Sequence, residues 1–203
     1  MSRTAMPGNV LSARVIPVLR GLDTDRVLEV AAVLRRNGID VAEITMESPN
    51  AAASIEAAAG EGVIAGAGTV MSVAEAEAAV AAGAVFLVSP HTDFEIVRWA
   101  VDRHVPMVPG AFTPSEVAAV WSAGAAAVKI FPASIVGPGI LKAIRGPFGD
   151  LPLIPTGGIT ADNARSYLDA GAVAVGVGGW LTNHADLEVV AERARATVEA
   201  CTP

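Results

Sequence analysis

The 203-residue chain is predicted to fold as a TIM (β/α)8 barrel, a closed member of the α/β class, on three observations. First, Gly38, Gly83, Gly124 and Gly171 each close a helix-like segment and open an apolar run, the pattern of a left-handed helix cap leading into a strand. Second, these glycines recur 41 to 47 residues apart, and each interval holds another apolar run, near Val63, Met107 and Leu153. Third, one further strand–helix pair precedes Gly38 and another follows Gly171, which brings the units to eight. The even spacing and short loops favour a barrel over an open doubly wound sheet.

Taken in order, residues 1–13 read as a frayed lead-in to one domain that spans 1–203. Val15 to Leu19 is an unbroken apolar run and reads as the first strand, followed by a helix over 23–37 capped by Asp23 or Thr24. Val41 to Met46 is the second strand. Its helix runs over 50–59, just after Pro49. A third strand at 63–65 leads into Gly66-Ala67-Gly68-Thr69, and residues 72–82 are helical. Strand 85–88, helix 93–103 and strand 106–108 follow. Pro114 then opens a helix to Ala123, since proline at the first turn gives up no hydrogen bond. The sixth strand is the stretch Ala125 to Pro132. A helix near 138–144, strand 153–154, helix 162–170, strand 173–177 and helix 186–200 complete the set.

Composition excludes several functions. Apolar residues make up 52% and charged residues 17%, which suits a folded core rather than disorder. Net charge is −7 with few aromatics and no basic stripe, so no nucleic-acid partner is expected. Every apolar run is broken before the ~18 residues of a membrane span, and no charged-then-apolar leader opens the chain, so a cytoplasmic protein with no membrane partner is expected. Cys201 is the only cysteine, near the C-terminus, and reads as a mobile tail thiol. His91, His104 and His184 are dispersed, with no ligand spacing for a metal. No metal or other cofactor is called for.

The sixth strand carries the most informative residue. Side chains alternate across a strand, so Ala127, Lys129 and Phe131 share one face and Val128 and Ile130 the other. Burial favours the neutral form of an amine, and a neutral amine attacks carbonyls to form Schiff bases. Lys129 is therefore a candidate nucleophile, the alternative being a lysine that snorkels to water. The chain has one other lysine, Lys142, on a helix. Glu43 lies mid-strand in the second strand and faces the same interior. Lysine and glutamate there form either a structural ion pair or a nucleophile with a proton shuttle.

Barrel chemistry collects at the C-terminal strand ends. Those ends offer Arg20, then Glu43, Thr45 and Glu47 on one face, then Thr69, and then Ser89-Pro90-His91. The seventh and eighth strands end in Thr156-Gly157-Gly158 and Gly178-Gly179, backbone turns suited either to a phosphate or simply to tight geometry. His91 either touches substrate or is a solvated loop histidine. Trp99, Trp121 and Trp180 read as core or subunit-contact residues with no role at the site.

Seven motifs in sequence order carry a resemblance: Ile16-Pro17-Val18-Leu19-Arg20-Gly21, Glu43-Ile44-Thr45, Gly66-Ala67-Gly68-Thr69, Val88-Ser89-Pro90, Val108-Pro109-Gly110, Lys129-Ile130-Phe131-Pro132 and Pro155-Thr156-Gly157-Gly158-Ile159. Over nearly its whole length the chain resembles the 2-keto-3-deoxy-6-phosphogluconate (KDPG) and 6-phosphogalactonate (KDPGal) aldolases, class I enzymes on a TIM barrel. The resemblance implies a Schiff base at Lys129 and proton transfer by Glu43, with pyruvate and glyceraldehyde 3-phosphate as products. It implies Arg20 and Thr69 as partners of the substrate carboxylate, Pro90 and Phe131 around the pyruvyl portion, and Thr156 beside the substrate. Gly157, Gly158, Gly178 and Gly179 match the phosphate-binding turns. It implies a homotrimer and a small-molecule substrate, a 2-keto-3-deoxy phospho sugar acid.

Two departures stand out. Gluconate-type members often carry arginine where this chain has Glu47, and many members carry serine where it has Gly179. The stretches from Glu43 to Asn50 and from Lys129 to Pro138 are similar to the galactonate type. Two alternatives stand beside that reading: an aldolase for a non-phosphorylated keto acid such as 4-hydroxy-2-oxoglutarate, and a non-catalytic sugar-phosphate-binding barrel.

Overall fold

The computed structural model describes residues 3–202. Its elements are α1 (Gly8–Leu11), β1 (Val15–Leu19), α2 (Thr24–Arg36), β2 (Val41–Thr45), α3 (Ala51–Gly60), β3 (Ile64–Gly68), α4 (Val73–Ala81), β4 (Leu87–Val88), α5 (Phe94–Asp102), β5 (Met107–Val108), β6 (Gly110–Ala111), α6 (Pro114–Ser122), β7 (Val128–Ile130), α7 (Ala133–Val136), α8 (Gly139–Phe148), β8 (Leu153–Pro155), α9 (Ala161–Asp169), β9 (Val175–Val177), α10 (Gly179–Thr182) and α11 (Leu187–Cys201). The helix caps expected from sequence are present. Gly38, Gly83, Gly124 and Gly171 all have φ between +86° and +103°, a backbone that costs glycine nothing. Asp23 accepts the Arg26 N–H at the start of α2, a cap of the kind worth about 1 kcal/mol.

The closed eight-stranded barrel expected from the sequence is not what forms. The strands make two parallel sheets, one ordered β5-β4-β3-β2-β1-β9 and one ordered β6-β7-β8. Together they make a distorted α/β barrel. One break lies at Pro109, which has no N–H to donate: the expected fifth strand ends at Val108, and a further short strand that was not expected follows the proline. Met107–Val108 pairs with β4, and Gly110–Ala111 pairs with β7. The other break lies between β8 and β9, joined in the ladder by the single bridge Thr156↔Gly176. The side chain of Thr156 fills the space where a Cβ on Gly176 would sit.

Three smaller expectations also change. The third strand runs on through Gly66-Ala67-Gly68 instead of ending at Ala65. The lead-in is not frayed over its described part: Arg3 donates to the carbonyls of Ala125 and Trp121, and residues 8–11 are helical. Met1 and Ser2 of that segment lie outside the described residues. Cys201 is no mobile tail thiol. It is buried as the last residue of α11, and burial pushes its thiol pKa up.

Fully buried apolar side chains run continuously from β1 through the helices of both sheets, with Phe86, Ile16, Leu19, Leu34 and Ile130 among the largest. Among the described residues no helix is long and apolar enough to cross a membrane.

Candidate active site

Glu43 and Lys129 reach the same interior from different sheets. Glu43 sits in β2, in register with Val18 of β1 and Gly66 of β3. Lys129 sits in β7, in register with Gly110 and Ile154. Their side chains are 4% and 3% exposed, and Lys129 Nζ stands 3.9 Å from Glu43 Oε1. That is longer than the ~2.7–2.9 Å of a charge-assisted hydrogen bond, and among the described residues Oε1 has no hydrogen-bond partner. Burial raises the Glu43 carboxyl above its ordinary 4.5; Lys129 and then Arg20 pull it down, and Glu47 pushes it up. Lys129 Nζ also lies 5.1 Å above the Phe131 ring, a cation–π distance.

Small residues on the facing strands make the room. A Cβ on Gly68 would run into the Glu43 carboxylate, and one on Gly110 would strike the backbone of Pro90. Glycine at both positions therefore lets the acid lie against β3 and brings the Ser89-Pro90-His91 turn close to the strand beside Lys129. Behind the lysine, the Tyr167 hydroxyl donates to the Ala133 carbonyl at 3.1 Å and ties α9 to the turn after β7.

A pocket of about 220 Å³ opens above Lys129. It is lined by Val18, Arg20, Lys129, Phe131, Thr156, Gly157, Gly158, Ile159, Thr160, Gly178, Gly179 and Trp180. Eight of the eleven residues singled out from sequence thus meet in one place. Glu43 joins through Lys129, and Thr69 through its hydroxyl, which accepts from Arg20 Nη2 at 3.1 Å. Pro90 contributes backbone packed on Gly110 rather than a pocket wall.

Arg20 makes a second acid–base pair at the pocket mouth: its Nη1 lies 2.5 Å from Glu47 Oε1. Thr69 has φ +53°, a left-handed conformation that a β-branched residue adopts at a cost of about 1–3 kcal/mol.

Sequence reasoning assigned no role to Trp180, which proves to be a pocket wall. The signal was its position directly after Gly178-Gly179. Ile159 and Thr160, the continuation of the Thr156-Gly157-Gly158 turn, were missed in the same way. His91 is half-exposed, with Nε2 3.9 Å from Asp93. A larger hollow of about 380 Å³ lies at the N-terminal ends of the strands, between Arg14, Gly38, Val198 and Cys201, and brings no lysine and carboxylate together. Among the described residues no group of histidine, cysteine, aspartate or glutamate could hold a metal ion.

The α/β barrel buries a lysine and a glutamate together beneath an arginine-lined pocket, and its relatives make the protein an aldolase. A model of the family described as "KDPG and KHG aldolase" matches residues 8–198, and the chain belongs to that family. It is 35% identical to a probable 2-dehydro-3-deoxy-6-phosphogalactonate aldolase of Rhizobium meliloti, across 89% of this chain and 86% of the relative. The solved structure of native KDPGal aligns with a TM-score of 0.87 at 32% identity, covering 98% of this chain and 97% of that one. A KDPG aldolase from Legionella pneumophila, solved with pyruvate captured as a covalent carbinolamine, aligns with a TM-score of 0.83 at 32% identity, covering 97% of each chain.

Proposed function

We propose that this aldolase cleaves a 2-keto-3-deoxy-6-phospho sugar acid to pyruvate and glyceraldehyde 3-phosphate, with Lys129 as nucleophile and Glu43 as general acid and base. The observation that carries the assignment is the loose pair itself. A lysine and a glutamate kept for stability alone would close to hydrogen-bond distance, because buried charges repay their desolvation only with good geometry. Here they stand 3.9 Å apart, with one glutamate oxygen unpartnered. The carbinolamine named for the Legionella relative is the adduct expected of such a lysine.

In this reading Lys129 Nζ attacks the C2 carbonyl, and Glu43 passes the protons that turn the carbinolamine into an iminium and release water. Cleavage of the C3–C4 bond moves its electron pair into the iminium, while the C4 hydroxyl loses its proton and leaves as the aldehyde. The resulting enamine takes a proton at C3, and hydrolysis returns the amine and pyruvate. A carboxyl held above its ordinary range suits this work, since the same group must give and take protons near neutral pH. Arg20, with Thr69 beside it, is the partner for the substrate carboxylate. Phe131 flanks the pyruvyl portion and Thr156 lies next to the substrate, while Pro90 acts through its backbone packed on Gly110. Gly157, Gly158, Gly178 and Gly179 offer backbone N–H groups to the phosphate.

We further infer a cytoplasmic homotrimer whose whole chain forms one domain; the mass of the native protein in solution tests the assembly. The substrate assignment is tested by steady-state cleavage of the phosphorylated gluconate- and galactonate-type acids beside their unphosphorylated counterparts. The expected result is a higher kcat/KM with phosphate. Equal values would end the phosphate assignment and favour a smaller keto acid.

A further inference from the structure

Glu47 stands where gluconate-type members often carry arginine, and the chemistry assigned so far gives it no task. Its carboxylate holds Arg20 Nη1 at 2.5 Å while Thr69 accepts from Nη2. Two of the five guanidinium N–H bonds are thereby spent, and three remain for a ligand. The backbone beneath the pair is braced as well. The Ser48 hydroxyl accepts the Gly21 N–H at 2.8 Å and pairs with the Thr45 hydroxyl at 2.9 Å, so the turn carrying Arg20 is tied to the turn carrying Glu47. Both hydroxyl residues are buried, although the ion pair itself is half-exposed.

We propose that Glu47 is a positioning residue for the substrate carboxylate: together with Thr69 it fixes the Arg20 guanidinium over the pocket. The proposal rests on the aldolase reading of Lys129 and Glu43 given above. Among the described residues the charged groups that act on Glu43 are Lys129 from β7, Arg20 after β1 and Glu47 after β2. Arg20 and Lys129 favour the carboxylate form of Glu43, and Glu47 opposes them. With an acid at this position the mouth holds a matched pair of charges. The consequence is an Arg20 held in one orientation, able to take one carboxylate without drawing the proton from the catalytic acid.

The test is steady-state cleavage of the phospho sugar acids by the full chain and by Glu47→Ala, Glu47→Gln and Glu47→Asp, with kcat and KM followed across pH. Borohydride trapping of pyruvate is run on each protein. In Glu47→Ala the KM should rise about 3- to 10-fold, with kcat changed less, as an exposed ion pair used for orientation would give. In Glu47→Gln the limb of the kcat profile governed by Glu43 should move to lower pH, because the charge that opposes its ionisation is gone. Glu47→Asp should restore both. An unchanged or lower KM in Glu47→Ala, or superimposable profiles in Glu47→Gln, with trapping at Lys129 intact, would overturn the role of Glu47 alone. Absence of trapping in the parent protein would overturn the aldolase reading and this proposal with it.

Discussion

The site contains two acid–base pairs of opposite character. Lys129 and Glu43 are buried, come from different sheets and stand 3.9 Å apart. Arg20 and Glu47 are 53% and 40% exposed, come from neighbouring strand ends and meet at 2.5 Å. Surface geometry is free to tighten because water and long side chains let two groups find each other at little cost. Buried geometry is set by the sheets: Gly68 fixes where Glu43 lies, and the β6–β7 register fixes where Lys129 lies. A tight pair engages its charges with each other, while a loose buried pair leaves them available to a third molecule. The first suits orientation and the second suits chemistry.

Replacing Lys129 gives the largest expected effect. Lys129→Met should lower kcat by at least about 10⁴-fold, since no other group in the pocket can form the Schiff base; a residual rate within tenfold of the parent would remove the distinction between the two pairs. Glu43→Gln comes next, with an expected kcat loss of about 10²- to 10⁴-fold, the range for a lost general acid–base group. The same variant reads the electrostatics. Because the Glu43 carboxyl is raised in the folded protein, the native state binds more protons there than the unfolded chain does. That contribution to stability is present below 4.5, the ordinary value, and is lost as pH rises through the folded value. Denaturant unfolding across pH should therefore show the stability of the parent relative to Glu43→Gln falling as pH rises above 4.5. A flat difference would mean that burial does not govern this acid. Arg20→Lys is the smallest expected change: a single ammonium replaces the planar fork, and KM should rise about 10-fold with kcat largely kept. If kcat fell as far as in Glu43→Gln, the exposed pair would be doing chemistry as well.

Much of this site is legible in the sequence because local rules control it. A lysine inside Ala127-Val128-Lys129-Ile130 has one face to choose, and four helix-closing glycines mark the units that bring it round to Glu43. Strand closure is a different matter. Whether a ladder continues depends on N–H groups that must meet partners from distant segments, and the two interruptions arise at Pro109, which lacks the donor, and at Thr156↔Gly176, where a side chain occupies a glycine's empty face. Pro109 was visible in the sequence, but the consequence that β5 and β6 would pair into different sheets was not. Trp180 reads from sequence as a core or subunit-contact residue because tryptophan is ordinarily buried, and the turn at Gly178 that puts it on the pocket wall is set by tertiary packing.

The central claim is that Lys129 is the amine that attacks the substrate. Pyruvate and borohydride added together to the purified protein, followed by intact-mass and peptide-mass measurement, test it most directly. The expected result is one reduced pyruvyl adduct per chain, carried on the peptide containing Lys129 and absent from Lys129→Met. No gain in mass, or an adduct on the peptide containing Lys142, would contradict it.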